Sequence, residues 1–257
     1  MDKYDSIAAA RIDRTYQTPE IVNQRLRTLL ALGLRRGESI LDVGCGTGLL
    51  LEQEALAVGS EGHAEGVDTS ADMLALAETR CEGLVQVNLQ RGSADSLNFD
   101  DAFFDALSCT QVLLYVEQLE RALVEYHRVL KPRGRIAIIE TDWGGAIMNS
   151  GDLKVTQAIF NAWSDEVHNS HLPRRLAPLL RAAGFGGIRV EAIPVVNASY
   201  TENSFSAGML KGFANTAVRL QVLSRAQADG WLADLEARAA RDEYFFCVNR
   251  FLFTATK

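Results

Sequence analysis

The residues from Ile40 to Gly48, I-L-D-V-G-C-G-T-G, constrain the fold of this chain more than any other segment. Ile40, Leu41 and Val43 form a short apolar run of the kind found in a buried parallel strand. Three alternating glycines follow, and then residues 49–51, all leucine, open a predicted helix. Because a residue without Cβ can turn sharply and admit a ligand close to the backbone, this strand–glycine–helix run predicts a nucleotide-type site at the carboxyl end of a strand.

The spacing of the glycines separates two classes of such sites. A dinucleotide fingerprint reads G-x-G-x-x-G, whereas this chain has G-x-G-x-G at Gly44, Gly46 and Gly48, with Asp42 two residues earlier. A carboxylate just before the loop would repel a pyrophosphate, and it would suit a ligand that carries an ammonium or sulfonium group. The run D-V-G-C-G-T-G resembles motif I of the class I S-adenosylmethionine-dependent methyltransferases. The resemblance implies S-adenosyl-L-methionine as the cofactor.

The composition agrees with one large α/β domain. The chain has 257 residues, 47% of them hydrophobic and 23% charged, which is ordinary for a soluble globular protein. A formal net charge of −7 argues against a nucleic-acid partner. We expect no signal peptide and no membrane span, because no apolar run is long enough for either. The four cysteines form no C-x-x-C pair, which favours reduced thiols in the cytoplasm and no metal site.

The chain alternates predicted strands and helices, which is typical of a parallel, doubly wound α/β sheet. Short apolar or β-branched runs predict seven strands, at 40–43, 64–67, 84–89, 105–108, 135–140, 188–196 and 244–256. We expect the last strand to be antiparallel. The prediction is a single domain, 1–257, with a seven-stranded, mostly parallel sheet of the Rossmann-like methyltransferase type.

Two segments do not fit the simple alternation of strands and helices, namely 143–172 and 200–241, and an N-terminal arm, 1–34, precedes the first strand. Loops at the carboxyl edge of the strands surround the ligand site in this architecture. In the resembled family, the N-terminal arm and additions after the fifth strand commonly cover the substrate. We therefore expect 1–34 and 143–172 to form a lid. The insertion at 200–241, which contains a predicted capping box at Ser224 and Gln227, is either lid or flank.

The resemblance also assigns the cofactor site residue by residue. Asp68 closes the second strand, where the family has an acid that holds the ribose, and Asp95 stands where the family places an acid against the adenine amino group. Met73, one turn into the next helix, either packs on the adenine or belongs to the core. The predicted cofactor-binding residues are Asp42, Gly44, Cys45, Gly46, Gly48, Asp68, Thr69, Met73, Ser93, Ala94, Asp95, Thr110 and Gln111.

The substrate is narrowed by what the chain lacks. Family members that methylate nucleic-acid bases carry an N/D-P-P-Y/F run after the fourth strand, which is absent from S-C-T-Q at 108–111. Asp142, after the fifth strand, is a lone carboxylate and makes a poor magnesium site, so we expect no metal. The runs F-D-A-L-S and R-V-L-K-P-R-G-R-I resemble the branch that includes quinone and natural-product methyltransferases of secondary metabolism. Members of this branch often have a histidine after the fourth strand, and this chain has Tyr115 there.

Methyl transfer is an in-line displacement, so the enzyme mainly has to hold the nucleophile, the methyl group and the sulfur in line. Some nucleophiles also require a general base. We consider Asp142 and His171 as catalytic candidates, and Tyr16, Tyr115, Trp143 and His168 as substrate-contacting lid residues. The predicted activity is methyl transfer to oxygen, carbon or nitrogen of a small-molecule acceptor, in a monomer or homodimer. Two alternatives stay open: a cofactor-binding protein or cyclase that transfers no methyl group, and an NAD-dependent oxidoreductase.

Overall fold

The structure, a computed structural model, describes residues 6–201 and 204–257. The first five residues of the predicted arm and two residues of the 200–241 insertion lie outside this range. Within it, no helix has both the length and the apolar character needed to cross a membrane.

Eight strands form a single mixed sheet in the order β3-β2-β1-β4-β5-β8-β6, with β7 on the outer side of β8. The strands from β1 to β5 pair in parallel, and β8 pairs antiparallel with β5, β6 and β7. Their bounds are β1 Ser39–Val43, β2 His63–Asp68, β3 Val87–Arg91, β4 Phe104–Thr110, β5 Leu130–Thr141, β6 Ile147–Met148, β7 Gly186–Asn197 and β8 Phe246–Thr256.

Helices cover both faces of this sheet and its carboxyl edge. Their bounds are α1 Ser6–Tyr16, α2 Pro19–Leu32, α3 Leu51–Val58, α4 Ala71–Arg80, α5 Leu119–Val129, α6 Leu153–Asp165, α7 Pro173–Ala182, α8 Phe205–Arg219 and α9 Arg225–Ala239. Ser70 caps α4 by accepting from the Met73 amide. Ser224 forms the predicted capping box with Gln227 at the start of α9.

The predicted mostly parallel, doubly wound sheet is confirmed, with two differences in detail. All seven predicted strands form, and a two-residue strand, β6, adds an eighth inside the segment predicted as a lid. The third strand begins at Val87 rather than Leu84, because Gly83 adopts a left-handed φ of 84° and the Leu84 amide bonds to the Cys81 carbonyl. The chain is therefore still turning where the apolar pattern predicts an extended strand.

The core has three parts, and one of them builds the roof of the site. Two clusters fill the faces of the sheet, one around Phe104 and Tyr126 and the other around Ile40 and Leu51. The third cluster joins α6, α8 and α9 to the amino-terminal half of β8. Within it, Trp231 donates to the Thr156 hydroxyl at 2.8 Å, which ties α9 to α6. The two late insertions thus form one packed layer beside the carboxyl ends of the strands.

Candidate functional site

A cavity of about 610 Å³ lies at the carboxyl ends of β1, β2 and β4. Its floor is the glycine loop after β1 together with the loops after β2, β3 and β4. Its walls come from α1, α2, α6 and α8. A cavity at this edge of a parallel sheet is where an α/β fold presents its ligand site.

The glycine loop needs its glycines for different reasons. Gly44 has a φ of 72°, and a Cβ there would lie 2.2 Å from Cγ2 of Val112, so a side chain is excluded by both backbone and space. Gly46 has a φ of 54° and open space around it. Gly48 does not line the cavity; a Cβ there would lie 3.1 Å from Cα of Ala77, so this glycine lets the loop pack against α4.

Asp68 is held by the backbone at the end of β2. Its Oδ2 accepts from the Gly46 amide at 2.9 Å, and its Oδ1 accepts from the Ser70 amide at 2.9 Å. The carboxylate is half-buried and lines the cavity. Because each carboxylate oxygen can accept more than one hydrogen bond, Asp68 keeps acceptor capacity for a ligand.

Asp42 is a different kind of acid. It is 2% exposed and lines the cavity floor, and its Oδ1 accepts from the Ser108 hydroxyl at 3.1 Å. Its Oδ2 is buried and has no hydrogen-bond partner among the described residues. Burial raises the pKa of Asp42 to about 7, so this group gains its charge only near neutral pH.

The loops after β2 and β3 supply the next part of the floor. Thr69, Ser93, Ala94 and Asp95 all line the cavity, and the Ser93 hydroxyl hydrogen-bonds Oδ1 of Asp95. Met73 also lines the cavity and is 5% exposed. Its side chain is therefore both part of the core and part of the cavity wall.

The loop after β4 is strained at its turning point. Gln111 has a φ of 59°, which is rare for a residue with a side chain. The backbone amide of Gln111 donates to the Ile139 carbonyl at 2.8 Å, and the side-chain Oε1 accepts from the Thr141 hydroxyl at 2.6 Å. These bonds fix Gln111 and the preceding Thr110 in the cavity lining beside β5.

The N-terminal arm is fastened to the glycine loop. Oδ1 of Asp13 accepts from the Thr47 hydroxyl at 2.6 Å and from Nη2 of Arg80 at 2.6 Å, while Nε of Arg80 donates to the Thr47 carbonyl at 2.8 Å. This joins α1 to the loop and to α4. The arm also brings Tyr16 to the cavity, at the place where the sequence predicts a substrate contact.

Arg25 lines the cavity, although it is not among the site residues predicted from the sequence. It is 7% exposed, its Nη1 donates to the Tyr16 carbonyl, and its buried Nε has no partner among the described residues. Burial is the first cause of its lowered pKa, and Arg80 adds to it. The local excess of arginine in the arm is visible in the sequence, but only the fold distinguishes Arg25 from Arg27, which pairs with Glu191 on the surface.

The outer part of the cavity is apolar and aromatic. Trp163 of α6 stacks on Phe213 of α8, with ring centroids 4.4 Å apart, and both line the cavity with Met209 and Tyr115. Gly212, also in the lining, leaves room beside these rings. The insertion at 200–241 therefore contributes α8 to the cavity wall.

Asp142, His171, Trp143 and His168 are not part of the described cavity lining. The Asp142 carboxylate is occupied by Arg174, whose Nε lies 2.7 Å from Oδ2, and by Nδ1 of His171 at 3.2 Å from Oδ1. These bonds lower the pKa of Asp142 against the effect of burial, which is the largest single influence. Asp142 and His171 therefore belong to an ion cluster outside the described cavity lining. This position does not support a catalytic role for either residue.

Trp143 and His168, the two predicted lid residues outside the described cavity lining, are not members of this ion cluster. Trp143 is 2% exposed and packs edge-on against Phe213, with ring centroids 4.8 Å apart, so it supports the wall from behind. His168 is exposed at the surface. Trp143 precedes α6 and His168 follows it, whereas the residues of this segment that line the cavity are Trp163 and Glu166.

A buried polar cluster lies beneath the aromatic part of the cavity. Arg250 of β8 is 1% exposed, donates to Oε1 of Gln24, and lies 4.8 Å from the ring centroid of Phe205. Oε1 of Glu140 accepts from the amides of Val112 and Leu113, at 3.1 and 2.7 Å. Burial raises the pKa of Glu140 to about 8, although the two amides and Arg250 oppose this effect.

The comparisons with known proteins agree with this geometry. A family model described as "Methyltransferase domain" matches residues 41–138, which run from β1 into β5. This stretch contains the glycine loop, Asp68, Asp95 and the strained turn at Gln111. Residues 41–138 of this chain are therefore similar to the methyltransferase family.

Two curated relatives share part of this domain. The 37.1 kDa protein in transposon TN4556 of Streptomyces fradiae is 37% identical over 167 residues, which is 65% of this chain and 47% of that protein. The demethylmenaquinone methyltransferase of Staphylococcus aureus is 38% identical over 117 residues, 46% of this chain and 48% of that enzyme. The chain thus spans about half the length of the curated relatives it matches.

Solved structures extend the likeness of the methyltransferase domain to the whole fold. Phosphoethanolamine N-methyltransferase 2 of Haemonchus contortus, in complex with phosphomonomethylethanolamine and S-adenosylhomocysteine, has a TM-score of 0.66 at 20% identity, covering 100% of this chain and 58% of that one. The [4+2]-cyclase SpnF has a TM-score of 0.60 at 26% identity, covering 91% of this chain and 80% of that one.

Within residues 6–201 and 204–257, no three His, Cys, Asp or Glu side chains are grouped to hold a metal ion. The four cysteines are free thiols, three of them buried.

Proposed function

We propose that this chain transfers a methyl group from S-adenosylmethionine to an oxygen, carbon or nitrogen atom of a small molecule. The observation that carries the proposal is the backbone-held carboxylate of Asp68 beside the glycine loop, in a cavity large enough for a nucleoside and a second ligand. The methyltransferase relatives support it.

The residues of the cavity floor fit this cofactor in charge and shape. Asp68 has lone pairs free for ribose hydroxyls, and Asp95 with the Ala94 amide suits the edge of an adenine ring. The unpartnered Oδ2 of Asp42 suits an ammonium group, and Arg25 suits a carboxylate. Gly44 leaves the floor open where a Cβ would meet Val112.

When bound, the cofactor supplies a methyl group already activated by its positive sulfur. The protein's task is then to orient the acceptor and to exclude water, and orientation alone can contribute about 7–11 kcal/mol. Tyr16 and Tyr115 offer hydroxyl groups at the wall, and burial raises the pKa of Tyr16, so it acts at neutral pH as a neutral hydrogen-bonding group.

The wall composition favours an acceptor with a large apolar part. Trp163, Phe213 and Met209 form one side, and Arg219, which also lines the cavity, is ion-paired to Glu166. The demethylmenaquinone methyltransferase relative is consistent with such an acceptor. We also propose the N-terminal arm and α6 as the cover of the site.

A second candidate function is a cyclase that keeps the cofactor but transfers nothing. Two observations favour keeping it: the similarity to the [4+2]-cyclase SpnF, and the absence of histidine from the described cavity lining. A cytoplasmic location, a homodimer and the lack of a nucleic-acid partner remain predictions from the sequence.

The first experiment compares ligands by thermal shift. S-adenosylhomocysteine should raise the melting midpoint as its concentration increases, since it binds only the folded protein, and NAD should not. The Asp68→Ala variant is the control for binding at this site. A midpoint shift with NAD and none with S-adenosylhomocysteine at millimolar concentration would reject the proposal in favour of an oxidoreductase.

The second experiment separates transferase from cyclase. Purified protein is incubated with methyl-labelled S-adenosylmethionine and either demethylmenaquinone or small-molecule extracts. Label in an organic product, dependent on Asp68, is the expected result. Binding of the cofactor with no label transferred to any acceptor, while an added polyene is cyclised, would favour the second candidate.

A further inference from the structure

β7 lies at one edge of the sheet and offers an open side to another strand. It spans Gly186–Asn197, and among the strands of residues 6–201 and 204–257 it pairs only with β8. An edge of this kind presents a row of unpaired backbone N–H and C=O groups. A register shift at the start of the strand and the nitrogen of Pro194, which carries no hydrogen, confine the regular open part to residues 189–193.

The backbone groups of Val190 and Ala192 point away from β8. Pro194 stands opposite Asn249 in the ladder, and the carbonyl of Asn249 accepts from the Asp142 amide at 3.3 Å, on the β5 side. Pro194 and Asn249 are therefore one of the facing pairs that exchange no hydrogen bonds. Such pairs recur at every second residue of an antiparallel ladder, so Val190 and Ala192 also direct their N–H and C=O groups outward. No described residue outside the ladder bonds to these groups.

The charges of this open part are complementary to themselves about Val190. Arg189 and Glu191 flank Val190, share one face of the strand and are both exposed. Two antiparallel copies centred on Val190 place each Arg189 opposite Glu191 of the other copy, and opposite charges at facing positions stabilise a strand pair. A pairing centred on Glu191 places two carboxylates opposite each other. A pairing centred on Ala192 places Pro194 opposite Val190, where an N–H is needed, so the edge favours one register.

Exposed apolar side chains flank this edge on both faces. On one face lies a stripe of alternate residues in which Val190 is 52% and Val196 44% exposed, with Ala192 and Pro194 between them, also exposed. On the other face, α2 runs beside β7, as the ion pair of its Arg27 with Glu191 shows, and Leu30, one turn after Arg27, is 81% exposed. Apolar side chains grouped at a surface in this way mark an interaction site.

We propose that β7 is the contact of a symmetric homodimer, in which the β7 strands of two copies pair antiparallel about Val190 and join both sheets into one. The twofold axis is perpendicular to the sheet, so the exposed stripes of the two copies lie side by side on one face and the two α2 helices approach each other on the other face. Because α2 also presents Gln24 and Arg25 to the cavity, the dimer holds one wall of each cavity in place. The inference does not depend on the proposed function.

The first experiment measures the mass of the purified chain by analytical ultracentrifugation at about 1 to about 100 µM, a range suited to an interface of modest size. The mass should rise with concentration from that of one chain toward that of two. Amide exchange in peptides that cover residues 189–193 should slow as the dimer forms, because the outward N–H groups become bonded. A chain that stays monomeric over this range rejects the proposal. Flotation of that monomer with phosphatidylcholine vesicles, if lost in Val190→Lys, would instead assign the exposed stripe to a lipid surface.

Charge reversal tests the register of the two strands. In Arg189→Glu two carboxylates face each other at both contacts, and in Glu191→Arg two guanidinium groups do, so each variant should dimerise at least about tenfold more weakly than the wild type. An equimolar mixture of the two variants has opposite charges at both contacts and should form a heterodimer. Arg121→Glu, at an exposed position on α5, is the matched control and should dimerise like the wild type. Circular dichroism checks that each variant is folded.

The remaining outcomes also decide the proposal. If Arg189→Glu and Val190→Lys both dimerise like the wild type, the copies meet at another face and the proposal is rejected. If both charge variants are monomeric and folded but their mixture stays monomeric, the antiparallel pairing about Val190 is rejected. Should either charge variant fail to fold, Val190→Lys replaces it, since that half-exposed side chain places two ammonium groups at the twofold axis and should leave a folded monomer.

Discussion

The amide of Gly46 donates a hydrogen bond of 2.9 Å to Oδ2 of Asp68, which joins the glycine loop after β1 to the end of β2. The Ser70 amide holds the other oxygen of the same carboxylate. Two rigid parts of the chain therefore fix one acid at the cavity, and the acid in turn fixes the loop. Asp68 is both a ligand-binding candidate and part of the loop's own structure.

This double role leads to a prediction for Asp68→Ala. The variant should bind S-adenosylhomocysteine about ten- to hundredfold more weakly, which corresponds to about 1.5–3 kcal/mol for lost hydrogen bonds to a charged group. Calorimetry measures it, with Asp72→Ala, in the next helix, as the control. A dissociation constant within twofold of the wild-type value would remove Asp68 from the binding site.

The glycine loop allows a matched pair of substitutions. Gly44→Ala places a Cβ 2.2 Å from the side chain of Val112 in a backbone with φ 72°, whereas Gly46→Ala meets open space at φ 54°. Both should lose about 1–2 kcal/mol from the left-handed backbone, and Gly44→Ala should lose more from the clash. Urea unfolding checks the order. Equal stability of the two variants would show that Val112 moves aside freely.

The sequence predicted the central strands β1, β4 and β5 well because they are largely buried on both faces and contain short apolar runs between turns. It also predicted which loops line the floor of the cavity, since the residues at the carboxyl ends of β1, β2 and β3 follow from the strand bounds. All the predicted cofactor residues except Gly48 line the cavity. That glycine serves the packing of α4, a role that the same spacing in the sequence cannot distinguish.

The part of the cavity lined by helices was harder to predict because it depends on how the helices pack against each other. The segment after β5 was expected to cover the site, yet Asp142 and Trp143 lie outside the described lining and Trp163 lies within it. Phe213 sits in the later insertion, whose role the sequence left open. Arg25 looks in sequence like its neighbour Arg27, and only the docking of α2 buries one and exposes the other.

The attachment of the N-terminal arm yields a third prediction. Asp13→Ala removes the acceptor shared by Thr47 and Arg80, so α1 should detach more often from the glycine loop. Trypsin should then cleave at Arg11 or Arg14 several-fold faster, and S-adenosylhomocysteine affinity should fall modestly. Arg14→Ala, which leaves the attachment intact, is the control for loss of one arm residue. Cleavage at the wild-type rate in Asp13→Ala would show that the arm is held by its apolar packing alone.

The fourth prediction concerns Glu140 and the pH dependence of stability. Burial raises its pKa in the folded protein from an ordinary 4.5 to about 8. Between these values the folded state holds a proton that the unfolded state has lost, so the free energy of unfolding should decrease as pH rises from about 5 to 8. One such group gives a slope of at most about 1.4 kcal/mol per pH unit.

Glu140→Gln tests this prediction because the amide oxygen can still accept from the backbone of Val112 and Leu113 while the side chain stays uncharged. Urea unfolding at pH 5, 6, 7 and 8 should give a flatter stability profile for the variant than for the wild type. Glu243→Gln is the control, since Arg241 lowers the pKa of Glu243 and its effect falls below pH 5. If the wild type and Glu140→Gln lose stability at the same rate across this range, Glu140 is already ionised in the folded protein, with Arg250 as its counter-charge.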